Sequence, residues 1–552
     1  MGNDSSNHSN DASIEIGEEI VAGFAKYRLP GVEPAKGRNR GTGPFSRMVL
    51  RGATLIDGTG APPWGLVDIV IEGNRIADIV SVGSPQMPIK PDRRPPRGDY
   101  EIDCEGKFVT PGFVDCHAHI GAPFHASMGQ MPNADYVYKL WLAHGVTTVR
   151  EAGCFNGLAW TLQQKNASAA HEIAAPRLFA YAYFPAINDY LKTIHTPEAA
   201  REWMRKIREK GADGVKFFGA PPAIMEAALD EAQKVGLRTC CHHATLAVSR
   251  MNALTTAKWG LTSSEHSYGL PEALFEDKTV QSFPQGYHYN DEYLRFSTAG
   301  TTFLQAAKPG SAKWNQVLNE FLEAGHTFVP TMNVYDANRD LMRARRADWH
   351  ERFTDPNLLK YFEPHRGGHG SYWYRWSTQN EVEWKETFKL WMHFLNDYKN
   401  LGGKVCAGSD SGFMYQLYGF GFVRELELLQ ESGFNSLEVL RAATYTGAQL
   451  LGIDEDTGSV EVGKRADLLI HDFNPLDDFK LLYGTGALRL DEVNQCGEWQ
   501  RSLMTTIKDG VVFDTRELLS DVEGIVSNST AREAAVAPVR SAEPGAPEGA
   551  EQ

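Results

Sequence analysis

Short apolar runs mark the chain from Met48 onward, and what separates them changes along its length. Near both ends they alternate with polar residues and tight turns. MVLRGATLIDGTG reads as a strand closing in a turn, and LVDIVIEGNRIADIV as two short strands around Glu72-Gly73-Asn74. The same grammar returns in RADLLIHDFNPL and in TTIKDGVVFD, where Asp509-Gly510 predicts a hairpin. In the middle, GVTTVREAG, AREWMRKIREKGADGVKFFG, IMEAALDEAQKVGLRTCCHHA and LTSSEHS alternate a short apolar strand with a longer helical stretch. Such alternation predicts parallel βαβ units, and a barrel of eight needs roughly 250 residues.

The predicted class is therefore α/β: a (β/α)8 TIM-type barrel over 111–454, with a small β-sandwich domain formed from 47–110 and 455–516. Residues 1–46 form an N-terminal extension in which 13–27 has the pattern of one helix. Residues 517–552, Ala/Pro/Glu-rich towards the end, are expected to be a mostly disordered tail. The barrel span exceeds what eight units require. The surplus falls in 271–395, aromatic-rich and irregular, and reads as loops and helices over one barrel face.

Composition narrows the function classes. With 552 residues, 42% hydrophobic and 23% charged, the chain is a folded globular protein. A net charge of −15 argues against nucleic acid or an anionic membrane surface as partner. No apolar run approaches the ~20 residues of a bilayer span. The polar start, MGNDSSNHSNDAS, is not a secretory signal. Seven scattered cysteines without a CxxC pair read as reduced thiols of a cytoplasmic protein. The expected partners are a small-molecule substrate and further copies of the chain.

The chemistry-bearing residues sit where predicted strands end, the place barrel active sites occupy. TPGFVDCHAH carries His117 and His119, which share one face of a strand and can chelate a cation such as Zn2+. An HxH alone is a weak signal. Lys216 in GVKFF lies inside an apolar strand, where an ammonium is costly unless it is paired or deprotonated. Deprotonation fits a carbamate formed with CO2, an anion able to bridge two metals. Cys240-Cys241-His242-His243 ends the next strand, and only one of its two histidines can face the pore. SEHS supplies His266, and AGSDSG supplies Asp410. Asp410 alone reads more readily as a turn residue.

Together the order HxH, Lys, His, His, Asp resembles the amidohydrolase superfamily, in its prolidase-like and imidazolonepropionase-related branch. The resemblance extends to GATLIDGTG, LAHGVTTVREAG, RELELL, RAAT and GKRADL, and covers roughly 48–516. It implies that His117, His119 and Asp410 hold one of two divalent metals, expected to be Zn2+. It implies that His243 and His266 hold the other, with Lys216, carboxylated, between them. Asp410 then serves as base and acid, with His266 beside it in the catalytic set, while a metal-bridging hydroxide attacks. Tyr268, Tyr335 and the second histidine, His242, become candidate substrate contacts. The implied activity is hydrolysis of a carbonyl–nitrogen bond in an amide, peptide-like or N-acyl amino acid substrate.

The segment after Asp410, GFMYQLYGFGFV, departs from the glycine-rich loop of prolidase-like relatives. Its aromatics, with those of 361–391, fit an apolar pocket, a packed lid or a subunit interface. Two rival readings stand beside the hydrolase. A mononuclear deaminase of a heterocycle places a glutamate three residues after the fifth-strand histidine, where this chain has Leu246. A non-catalytic scaffold would have lost ligands, and all six positions are filled.

Overall fold

The protein is described by a computed structural model over residues 31–185, 194–366 and 369–536. The expected helix at 13–27 lies outside these residues. Strands β1 (Met48–Leu55), β2 (Trp64–Glu72), β3 (Arg75–Ser81), β4 (Tyr100–Asp103) and β5 (Phe108–Pro111) open the chain. The barrel strands follow as β6 (Phe113–Ala118), β7 (Val146–Gly153), β8 (Arg177–Tyr183) and β9 (Gly214–Phe217). They continue as β10 (Arg238–His242), β11 (Ser263–Glu265), β12 (Thr327–Val329) and β13 (Lys404–Val405).

These eight strands lie parallel and in chain order. Every residue of β6, β7 and β9 is buried, as expected of strands covered on both faces. The last strand meets the first: Cys116 N–H donates to Ala407 O, and the Ser409 and Asp410 amides donate to His117 O. That seam closes the barrel and fixes Asp410 beside His117.

The second sheet mixes both ends of the chain. Strands β14 (Leu468–His471), β15 (Ala487–Asp491), β16 (Cys496–Gln500), β17 (Leu503–Lys508) and β18 (Val511–Asp514) complete the set. The sheet order is β18-β17-β14-β5-β1-β2-β3, with β4 also on β1. β5 pairs antiparallel with β14, Val109 opposite Ile470, so two distant segments share one core of Leu50, Leu55, Val109, Leu468 and Ile507. β15 and β16 form a separate two-stranded ribbon.

Past residue 516 the structure corrects the expected tail. Thr515–Val536 is a 22-residue helix. Leu518, Val522 and Val526 recur every four residues and are buried. Asp521 on the same helix pairs at 2.8 Å with Lys139 of helix Ala134–Ala143, and with Arg40 of the N-terminal extension. Apolar periodicity outweighs the Ala-rich composition here.

Segment 271–395 brings helix Glu292–Ala299 to the barrel mouth, and its helices Ala312–Glu323 and Thr378–Asn400 lead into β12 and β13. Tyr361, Phe362, Tyr372, Trp373, Trp384 and Trp391 are buried within this segment or against the barrel. Phe296 stacks on Tyr372 at 4.1 Å, and Tyr335 on Trp384 at 5.4 Å. Most of the segment's aromatics therefore pack its own helices and the barrel wall.

Candidate metal-binding active site

At the C-terminal ends of the barrel strands lies a cavity of about 510 Å³. His117, His119, Lys216, His242, His266 and Asp410 all line it, as do Tyr268 and Tyr335. Strand alternation explains most of this set. His117 on β6 and His119 just beyond its end both reach the cavity. The register pairs Cys240 with Lys216 and His242 with Glu265, so Cys240 and His242 face inward as well.

His243 corrects the expectation. One residue further on, it faces away from the cavity: its Nε2 bonds Thr256 Oγ1 at 2.7 Å, on the helix behind the strand. His242 occupies the inward position instead. Its ring lies 4.8 Å from that of His266 and 4.9 Å from Tyr268, and stacks on Phe218. His266 and Asp410 stand just beyond their strands, with φ of 61° and 46°. Left-handed backbone at non-glycine residues is uncommon and costs energy, and here it turns both side chains into the cavity. Thr331, with φ 47° beyond β12, brings its hydroxyl to His266 Nδ1.

The donor atoms converge. Asp410 Oδ1 lies 3.1 Å from His119 Nε2 and 3.7 Å from His117 Nε2, while Oδ2 lies 3.6 Å from His266 Nε2. Lys216 Nζ is 3.3 Å from His117 Nε2 and sits over the Phe218 ring. One nitrogen or oxygen each from His117, His266 and Asp410 falls within 4.8 Å of the others, close enough to hold one cation.

In each of these three histidines Nδ1 is engaged, which leaves Nε2 for the cavity. His117 Nδ1 contacts Glu265, His119 Nδ1 lies 3.4 Å from Glu151, and His266 Nδ1 lies 2.5 Å from Thr331 Oγ1. Such outer contacts set tautomer and ring orientation at metal sites. Arg150, fully buried, donates from Nη2 to Glu265 at 2.7 Å and from Nη1 to Ser263 at 2.9 Å, with Tyr181 beneath it. Asp115 accepts from the Ser409 hydroxyl at 2.5 Å and the Ser409 amide at 2.9 Å, tying β6 to the Asp410 segment. Glu265, Arg150, Glu151 and Asp115 have a signal in the sequence: each is a charged residue within a strand whose every residue is buried.

Electrostatics follow from burial and this wiring. Burial, reinforced by the Lys216 charge, lowers His117 to about 4. Burial opposes charge on His119 too, yet its hydrogen bonds to Asp410 and Glu151 raise it to about 9. A proton there does what a cation at the same spot would do, neutralising Asp410. Burial holds His242 and His266 well below their usual range, as neutral imidazoles able to ligate. Burial pushes the Asp410 carboxyl up, but His117, His119 and Lys216 outweigh it and keep it below the ordinary carboxylate range. This donor set, three imidazole Nε2 atoms with an ionised carboxylate, suits a borderline divalent cation better than a hard, oxygen-preferring one.

Comparison with known proteins agrees with this geometry. An N-acyl-D-aspartate deacylase from Alcaligenes xylosoxydans xylosoxydans is 27% identical over 197 residues, 34% of this chain and 35% of that protein. The match thus spans about a third of that relative's length. Among solved structures, a bottromycin amidohydrolase superposes with a TM-score of 0.59 at 19% identity, over 88% of this chain and 91% of its own. A Xaa-Pro dipeptidase superposes with a TM-score of 0.55 at 19% identity, over 85% of this chain and all of its own. The sequence profile of the amidohydrolase family matches residues 108–310 and 389–510, more than half of the chain. This chain belongs to the amidohydrolase family.

Proposed function

We propose that the protein is a metal-dependent hydrolase that cleaves a carbonyl–nitrogen bond, with two divalent cations held by the cavity residues. The observation that carries the reading is the convergence of His117, His119, His266 and Asp410 around the Lys216 amine. His117, His119 and Asp410 would hold one cation, and His266 with His242 the other. Lys216 is buried and has no ion pair within 4.0 Å among the described residues, a setting that favours its conversion to an anionic carbamate by CO2. Bound here, ions such as Zn2+ supply Lewis acidity towards a carbonyl and lower the pKa of water.

The chain's own groups do the rest. Asp410 Oδ accepts the proton of the attacking water and returns it to the leaving nitrogen. Glu265, Glu151 and Thr331 hold the three imidazoles with Nε2 forward. The phenols of Tyr268 and Tyr335 stay protonated because burial raises both, and since the two are hydrogen-bonded to each other, one of the pair remains free to donate to a substrate oxygen. Phe124, Phe155, Phe218 and Phe413 exclude bulk water from the mouth.

The deaminase reading is less well supported. Three residues beyond His242 stands Thr245, and three beyond His243 stands Leu246, which is 69% exposed. Neither position offers a carboxylate. The test is a panel of N-acyl amino acids, dipeptides, aryl amides, lactones and aminated heterocycles with the metal-loaded enzyme. Amine release from an amide supports the proposal; ammonia release from heterocycles alone, with every amide intact, overturns it.

A further inference from the structure

Resting on the amide-hydrolase reading, we propose that Arg295 is the anchor for a substrate carboxylate. The enzyme's substrates are then N-acyl amino acids or peptides with a free carboxylate next to the scissile nitrogen. The cavity wall is largely aromatic, and apart from its histidines only two cationic side chains line it. Lys216 sits on the floor among the metal-binding residues. Arg295 enters from segment 271–395, on helix Glu292–Ala299, so barrel and segment contribute one cation each.

The guanidinium is placed for a ligand. Its Nη2 donates to Glu292 Oε1 at 2.5 Å and lies 3.2 Å from His369 Nδ1, which fixes one arm of the fork. Tyr289 and Phe296 lie under the charge at 4.9 and 5.0 Å. An arginine braced in this way loses little further freedom on gripping a planar anion with its remaining N–H groups. Glu292 only partly cancels the charge, because the same carboxylate also takes the Gly370 amide at 2.9 Å and contacts His369. Glu292 itself does not line the cavity, whereas Arg295 does. Beside Arg295, the Tyr268 and Tyr289 phenols supply further donors facing the same space.

A continuous wall links this anchor to the reaction centre: Tyr268 touches His242, and His242 touches His266. A substrate can therefore lay its carboxylate on Arg295 and its carbonyl over Asp410. Its side chain or acyl group would lie against Phe124, Phe155 and Phe413. A purely structural Arg295, stapling its helix to the 369–370 segment, would affect all substrates alike.

The test compares N-acetylphenylalanine with N-acetylphenethylamine, the same amide lacking only the carboxylate. With the metal-loaded full chain, wild type should favour the acid in kcat/KM by at least roughly tenfold, as charge-assisted pairing implies. In Arg295→Met the ratio should fall to within about twofold of unity. Arg295→Lys, which keeps the charge but loses the fork, should give an intermediate ratio. A wild-type ratio near one, or a ratio that Arg295→Met leaves unaltered even if both rates drop, overturns the proposal. If no amide is cleaved, the hydrolase reading fails by itself. Calorimetric binding of the two compounds to wild type and Arg295→Met then decides: acid preference lost in the variant supports the anchor, and equal binding throughout refutes it.

Discussion

Replacing His242 and His243 one at a time by alanine separates two neighbours that the sequence cannot rank. His243 is buried with one hydrogen bond, 2.7 Å to Thr256 Oγ1, while its Nδ1 has no partner among the described residues. Thr256 Oγ1 keeps its bond to Ala253 O at 3.0 Å when His243 is lost. The cost of His243→Ala is therefore one net hydrogen bond, about 1 kcal/mol, plus the cavity left by a buried ring. Gly269 packs so closely on His243 that an added Cβ would stand 3.0 Å from its Cβ, so little collapse can fill the gap. A total of about 2–4 kcal/mol, a Tm drop of several degrees, is expected, with metal content and kcat retained. His242→Ala should do the reverse: Tm of the metal-free protein nearly unchanged, but bound metal lowered. Its metal affinity should fall by more than the ~10–100-fold that losing a mere outer contact costs. The assay is metal analysis after dialysis, with thermal unfolding and turnover on the same samples. Metal lost from His243→Ala and kept by His242→Ala would refute the assignment.

Further expectations follow from the same geometry. Asp410→Asn keeps the shape but cannot take a proton, so kcat should fall at least ~10²-fold on any cleaved amide; an unchanged kcat would assign the base elsewhere. Lys216→Ala should lose metal and activity and regain part of both with a short carboxylate and excess metal, whereas a rescue-insensitive, metal-replete variant would rule out the carbamate. Glu425 is fully buried, its Oε2 accepts the Asn333 amide at 2.8 Å, and burial pushes its carboxyl up to about 8. In the unfolded chain it ionises near its ordinary value of about 4.3, so folding stability falls as pH rises from there to about 8 and then levels off. Glu425→Gln lacks this loss, so its Tm relative to wild type should climb from pH 5 to 8 and plateau above; a flat difference would show that Glu425 ionises as freely as in the unfolded chain, and a decline that the fold favours its charged form.

Several features of the fold and site were legible because they depend on local rules. Strand–helix alternation predicts the barrel, strand period puts His117 and His119 on one face, and Lys216 stands out as a charge inside an apolar strand. The choice between His242 and His243 needed information that no single strand carries. Which face of β10 points inward is set by its register, Cys240 beside Lys216, and that is a property of the sheet. Arg295 was hidden for a related reason: it reaches the cavity from a helix of the 271–395 segment, far from any strand end. His266 and Asp410 were found by position, while the left-handed backbone that turns them inward left no mark in sequence. In the helix Thr515–Val536, Leu518, Val522 and Val526 form an apolar stripe that the Ala-rich composition of the segment conceals.

The central claim is that bound metal enables this cavity to cleave a carbonyl–nitrogen bond. The most direct measurement removes metal with a chelator, then restores it stepwise while following both metal content and amide hydrolysis. The account predicts that activity disappears with the metal and returns in proportion, reaching its maximum near two equivalents per chain. Full amide hydrolysis by protein shown to be free of metal would contradict it.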